Sequence, residues 1–195
     1  LILEQLRMKT VPVSPRVRIL RARSDRQTPR KSIVPYLVET DPGIQAVVYR
    51  LYRELHYSRP TTGGKQALLY VSHHSRDAEL RDEPMLREEI EAAGDMPVYT
   101  VDVRGIGESQ PDTTNPNSYL SPYGSDFFYA AHGIMLDDPY PSQRTRDVLT
   151  VLNWLESLGH TEVHLMAKGW GAIPATLAAV MHPVVSQVTL KHALT

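Results

Sequence analysis

Three short segments hold the residue types best suited to chemistry. Ser72-His73-His74-Ser75 sets two imidazoles between two hydroxyls. Asp102-Val103-Arg104-Gly105-Ile106-Gly107-Glu108-Ser109 mixes carboxylates, a guanidinium and glycines. Ala167-Lys168-Gly169-Trp170-Gly171-Ala172 places a lysine and a tryptophan around a glycine pair. Hydroxyl, imidazole and carboxylate are the groups of nucleophilic catalysis, in which a base activates an attacking oxygen and backbone N–H groups hold the developing oxyanion. Ser72, Ser75 and Ser109 are candidate nucleophiles on these terms. The chain has no Cys, which removes disulfides, thiolate metal sites and a Cys nucleophile. No His-x-x-x-His or comparable spacing points to a metal, and no cofactor is expected. Gly105 and Gly107 lack the remainder of a phosphate-binding loop.

The elements around these segments explain why they could meet. Ala67 to Ser72 and Val98 to Val103 are continuous apolar runs, as in strands covered on both faces. Glu162 to Met166 and Ser186 to Lys191 read as two further strands. Between them, Glu83 to Ala93 reads as a helix with Asp82 as N-cap and Pro84 in its first turn. Ser142 to Leu158 carries Val148, Val151, Leu152, Leu155 and Leu158 on one face and stops at Gly159. Ile173 to Met181 is a third helix. Alternating strands and helices predict right-handed crossovers and a parallel sheet with helices on both faces. Upstream, Ser32 to Glu39 and Ala46 to Tyr52 read as a hairpin around Asp41-Pro42-Gly43. Pro35 places its first strand at an edge or a bulge. Each of the three segments follows a predicted strand, and open parallel sheets bind ligands at their carboxyl ends.

On these residues the chain resembles the α/β-hydrolase superfamily. Asp-Val-Arg-Gly-Ile-Gly-Glu-Ser, 102–109, is similar to the Asp-x-Arg-Gly-x-Gly-x-Ser segment of that superfamily. Ala-Lys-Gly-Trp-Gly-Ala, 167–172, sits where the superfamily carries its nucleophile elbow, Gly-x-Ser-x-Gly. The acetyl xylan esterase and cephalosporin-C deacetylase group of carbohydrate esterases is the nearest likeness, over roughly residues 67–195. The resemblance implies a mostly parallel hydrolase sheet with antiparallel strands at its N-terminal edge, ending after the strand near residue 190. It also implies ester hydrolysis, with His73 and His74 in the loop that helps form the oxyanion hole. Gly169, however, stands where the attacking Ser belongs, flanked by Lys168 and Trp170, so the elbow is expected to be built and chemically empty. Lys168 is either an anion contact or a solvated strand-end side chain. The superfamily's acid and histidine follow later strands, and His192 is not in the base's place.

The remaining features concern partners. The net charge of −1 argues against a chain built to grip nucleic acid. No apolar run approaches the roughly 18–20 residues that span a bilayer. Residues 1–31 carry nine Lys or Arg against two acidic residues, and the remainder is correspondingly acidic. This divides the chain into a basic arm with a first strand, 1–31, and a hydrolase-like domain, 32–195. The arm either meets an acidic partner or lies on the protein's own body. Residues 119–140 form an aromatic insertion with Tyr119, Tyr123, Phe127, Phe128 and Tyr129, suited to sugar stacking, an interface or self-packing. Leu1 in place of Met suggests a piece of a longer protein. The expected partners are a carbohydrate or acyl-ester ligand, a companion hydrolase domain or a second copy. The competing readings are a hydrolase-derived domain without catalysis, a working esterase with an unrecognised nucleophile, and a pure interaction module. Nothing in the sequence fixes the compartment.

Overall fold

The computed structural model describes residues 2–24, 27–55, 64–110 and 126–193. Among the described residues, eight strands form one mixed sheet. These are β1 (Val17–Ile19), β2 (Arg23–Ser24), β3 (Ser32–Asp41), β4 (Ile44–Tyr52), β5 (Gln66–Val71), β6 (Val98–Asp102), β7 (Glu162–Lys168) and β8 (Val185–Lys191). Their order is β1-β3-β4-β6-β5-β7-β8, with β2 also on β3. β4 meets β6 antiparallel, and β6, β5, β7 and β8 run parallel.

The apolar runs behave as their composition demands. Ala67, Leu68, Leu69, Tyr70 and Val71 of β5 have no exposed surface. Because successive side chains alternate faces, β5 feeds two cores. Ala67, Leu69 and Val71 pack with Val148, Leu152 and Leu155 of the long helix α5 (Tyr140–Ser157) and with Ala172, Ala175 and Ala178 of α6 (Ala172–Met181). Leu68 and Tyr70 pack with Leu80 of α2 (Arg76–Asp82) and Leu86 and Ile90 of α3 (Pro84–Ala92). Each fully buried Leu contributes roughly 1.5–3 kcal/mol.

Several boundaries differ from the sequence expectation. Glu83, not Asp82, caps α3, its carboxylate accepting from the Met85 N–H at 3.3 Å. The residues before it form α2, capped by Ser75, a helix that the sequence pattern did not assign. α5 begins at Tyr140 rather than Ser142, because Pro141 fits a first turn that needs no N–H. Part of the aromatic insertion is helical, as α4 (Asp126–Met135). Tyr119 and Tyr123 lie outside the described residues. β3 is not an edge strand. Pro35 falls in the gap between β1 and β2, and its carbonyl accepts from the Leu20 N–H at 2.9 Å. The first strand expected within the 1–31 arm is short, at Val17–Ile19.

The basic arm opens with one helical turn, α1 (Ile2–Gln5), and then lies on the body of the protein. Met8 and Val11 pack against the core, Asn153 donates to the Pro12 carbonyl at 2.9 Å, and Lys9 pairs with Asp138 at 2.9 Å.

Candidate functional site: the turn after β7

β7 ends at Lys168, and the chain reverses through a single helical turn, Gly169–Gly171, directly into α6. Two glycines permit this. Gly169 has φ +49, a left-handed conformation that costs a non-glycine residue about 1–3 kcal/mol. Gly171 lies so close to β5 that a Cβ would sit 2.5 Å from the Val71 carbonyl oxygen. The helix start is thereby pressed onto the neighbouring strand.

His73, after β5, fills the space above Gly169. A Cβ on Gly169 would lie 2.5 Å from His73 Nδ1 and 2.8 Å from its Cε1. The Trp170 N–H donates to His73 Nδ1 at 3.0 Å. That bond requires a neutral imidazole with a free lone pair at Nδ1. Burial favours it, lowering the His73 pKa from its ordinary 6.5. The positive potential of His74, Lys168 and His192 acts in the same direction, and Glu79 against it. The His73 and His74 rings lie 3.6 Å apart.

The main-chain donors of this loop are also engaged. The Glu79 carboxylate, on α2, accepts from the N–H groups of His73 at 3.1 Å, His74 at 2.8 Å and Ser75 at 3.2 Å, and from the Tyr70 hydroxyl at 2.5 Å. Lys168 turns away from Gly169. Its ammonium pairs with Glu83, which also takes Lys191 at 2.6 Å. Although burial opposes ionisation, these hydrogen bonds hold Glu83 down at about 2.

The three candidate serines are committed to the framework. Ser72 is buried, with Oγ 2.5 Å from Asp102 Oδ1 and 3.1 Å from the Val101 carbonyl. Ser75 Oγ caps α2. Ser109 Oγ donates to the Asp102 carbonyl at 2.7 Å and accepts from the Val47 N–H at 3.1 Å. The rest of segment 102–109 is equally architectural. Fully buried Arg76 pairs with Asp102 and Glu108, and its guanidinium stands 3.7 Å from the centre of the Tyr49 ring. Arg104 binds Asp147 through its side chain and its main-chain N–H, and reaches Asp41 at 2.7 Å. Arg146 joins Asp41 to Asp138, at 2.8 Å each. These ion pairs fasten the hairpin turn and the 102–109 loop to α5.

Of the aromatic residues expected in the insertion, Phe127 and Phe128 stand largely exposed on α4, their rings 5.5 Å apart. Tyr129 lines a cavity of about 370 Å³ together with Ile44, Gln45, Val47, Gln110 and Tyr140. This cavity is bounded by the hairpin, the 102–109 loop, α4 and the start of α5, and Gly169 is not among its lining residues. Among the described residues no cluster of His, Asp and Glu could hold a metal ion. No helix among them is long and apolar enough to cross a membrane.

Two residues central to this geometry escaped the sequence reading. Glu79 stands four residues after Ser75, one beyond the spacing of a capping box, so no motif flagged it. Arg76 is a charged residue at the start of a helix, a pattern normally associated with solvent.

The molecule has the α/β-hydrolase fold. It is similar to a Bacteroides fragilis protein provisionally assigned as an acetyl xylan esterase, with a TM-score of 0.66 and 14% identity over 96% of this chain and 49% of that one. It is also similar to acetyl xylan esterase 1 from a Thermoanaerobacterium species, with a TM-score of 0.56 and 16% identity over 96% of this chain and 54% of that one. The chain thus spans about half the length of the solved structures it matches. No protein-family model and no curated protein sequence matches it.

Proposed function

We propose that this chain is an esterase-derived domain that no longer performs ester hydrolysis and serves as a binding or supporting unit. One observation carries the proposal: the turn after β7 holds Gly169 in the left-handed conformation of a nucleophile elbow, with no side chain to attack and with the His73 ring in the place of one. Acyl transfer needs both an attacking atom and free N–H donors near the developing oxyanion. The Trp170 N–H is bound to His73, and those of His73 and His74 are bound to Glu79.

The supporting role is proposed for the cavity beside α4. Its aromatic faces, Tyr129 and Tyr140, together with the amides of Gln45 and Gln110 and the charged groups of Arg104 and Glu108, suit a hydroxylated ligand such as a sugar or its acyl ester. The test is hydrolysis of p-nitrophenyl acetate by the full chain. No turnover above the protein-free background is expected. Turnover that co-purifies with the protein and disappears on Ser72→Ala, Ser75→Ala or Ser109→Ala would establish an unrecognised nucleophile and overturn the proposal.

A further inference from the structure

We propose that a cavity at the amino end of β6 is an anion site that takes a phosphoryl group, as free phosphate or as the end of a small phosphate ester. The cavity measures about 260 Å³ and lies between the last turn of the hairpin's second strand and the entry to β6, with Leu51, Tyr52 and Pro97 in its walls. Pro97 directly precedes β6, whereas the 102–109 loop and the turn at Gly169 follow the carboxyl ends of β6 and β7. The site is therefore separate from both regions described above.

Its lining carries three guanidiniums, Arg30, Arg50 and Arg53, and among the described residues one carboxylate, Asp95. Two of the three cations are fixed in place and buried, Arg30 at 7% and Arg50 at 4% exposure. Arg30 donates to the Leu51 carbonyl at 3.2 Å, the Gly94 carbonyl at 2.9 Å and the Met96 carbonyl at 3.0 Å. Arg50 stands over the rings of Tyr52 and Tyr99, 4.7 and 5.3 Å from their centres. Arg53 is at the rim, 3.5 Å from Asp95, whose side chain is 96% exposed. A carboxylate so fully solvated neutralises little.

Buried like charges are costly unless a counter-charge joins them. The cost is felt at Arg30: burial lowers its pKa from the ordinary 12.5, the charges of Arg53 and Arg50 lower it too, and Asp95 opposes them. The segment between Leu55 and Gly64, His-Tyr-Ser-Arg-Pro-Thr-Thr-Gly, contributes no carboxylate to the chain here and adds a further cation, Arg59. Three cations against one carboxylate leave an excess of two positive charges in the lining. A phosphate monoester carries about −1.5 to −2 at neutral pH and matches that excess, which a single carboxylate does not. The forked donors of arginine also suit phosphate oxygens. A second cavity, of about 500 Å³, shares Asp95 and Pro97 with the first and adds Lys65, Gln66 and Glu162, which gives the body of an ester room.

The test is isothermal titration calorimetry of the full chain at fixed ionic strength with inorganic phosphate, glycerol 3-phosphate and acetate. Saturable binding of one phosphate or one glycerol 3-phosphate is expected, with acetate weaker by about tenfold or more. Tighter binding of phosphate assigns the site to the free ion, and tighter binding of glycerol 3-phosphate assigns it to an ester. Arg50→Gln and Arg53→Gln should each weaken binding by about tenfold, the scale of a hydrogen bond between charged groups. Arg18→Gln, which removes an exposed cation on β1, should leave it unchanged. Circular dichroism and Tm establish that each variant is folded, and if Arg50→Gln fails to fold, Arg53→Gln decides. No saturation by either phosphate compound up to about 50 mM, acetate binding as tightly, or unaltered binding in a folded cavity variant would overturn the proposal.

Discussion

The main-chain N–H of Trp170 donates to Nδ1 of His73 at 3.0 Å, closing the turn after β7 with a side chain from the end of β5. The imidazole stands where a side chain at position 169 would go. The proton state of one histidine thus decides whether the Trp170 N–H is engaged or available.

The Trp170 amide should titrate with His73. Burial and the cations around it lower the His73 pKa below 6.5. A histidine with a lowered folded pKa contributes stability that is present above its unfolded value and lost as pH falls through the folded one. The Trp170 amide resonance is therefore expected to hold steady above pH 6.5 and to shift below it. His73→Ala should abolish the shift. An amide that titrates identically in that variant would show that the bond is not the cause.

On the proposed reading, placing a hydroxyl at position 169 does not create ester hydrolysis. Gly169→Ser forces a Cβ to within 2.5 Å of His73 Nδ1 and strains a backbone at φ +49. The expected loss of stability is about 1–3 kcal/mol. Adding His73→Ala should recover part of it, with a coupling of about 0.5–3 kcal/mol in a double-mutant cycle by urea denaturation. Strictly additive effects would mean that the ring and the new side chain do not compete.

Glu83 ties β7 and β8 to the junction of α2 and α3. Its depressed pKa means that its contribution is complete above its ordinary 4.5 and disappears as pH falls toward about 2. Glu83→Gln should lower stability near neutral pH by about 2 kcal/mol, the scale of hydrogen bonds to a charged group. The gap between wild type and variant should narrow below pH 4.5, followed by denaturant titration at each pH. A gap independent of pH would assign Glu83 to helix capping alone.

Arg76 is expected to be far more costly to remove than its surface-like sequence position suggests. Truncation to Ala leaves the Asp102 carboxylate buried without its cation, a loss of about 3–5 kcal/mol. Chemical denaturation checks this; a loss below about 1 kcal/mol would show that water replaces the guanidinium.

Strand β5 was legible because a strand buried on both faces must be apolar, and Ala67 to Val71 is. The turn at Gly169 was legible for a similar reason: a glycine pair between a strand and a helix marks a reversal that other residues resist. What closes that turn was not. His73 and Trp170 are far apart in sequence, and only the adjacency of β5 and β7 brings them together. Glu79 gathers three N–H groups through the path of a loop, which leaves no periodic trace. α4 went unread as a helix because Phe127, Phe128 and Tyr129 are consecutive and therefore give no helical stripe. Ile134 and Met135 remain exposed on the same helix, consistent with a sequence that marks no buried face.

Covalent labelling offers the sharpest trial of a closed, empty elbow. The full chain is incubated with a serine-directed fluorophosphonate and its adducts are mapped by mass spectrometry. No residue should be modified in stoichiometric yield, and acetyl ester should persist at its spontaneous rate. One serine labelled to completion, with ester turnover lost in parallel, would contradict the proposal that this domain is non-catalytic.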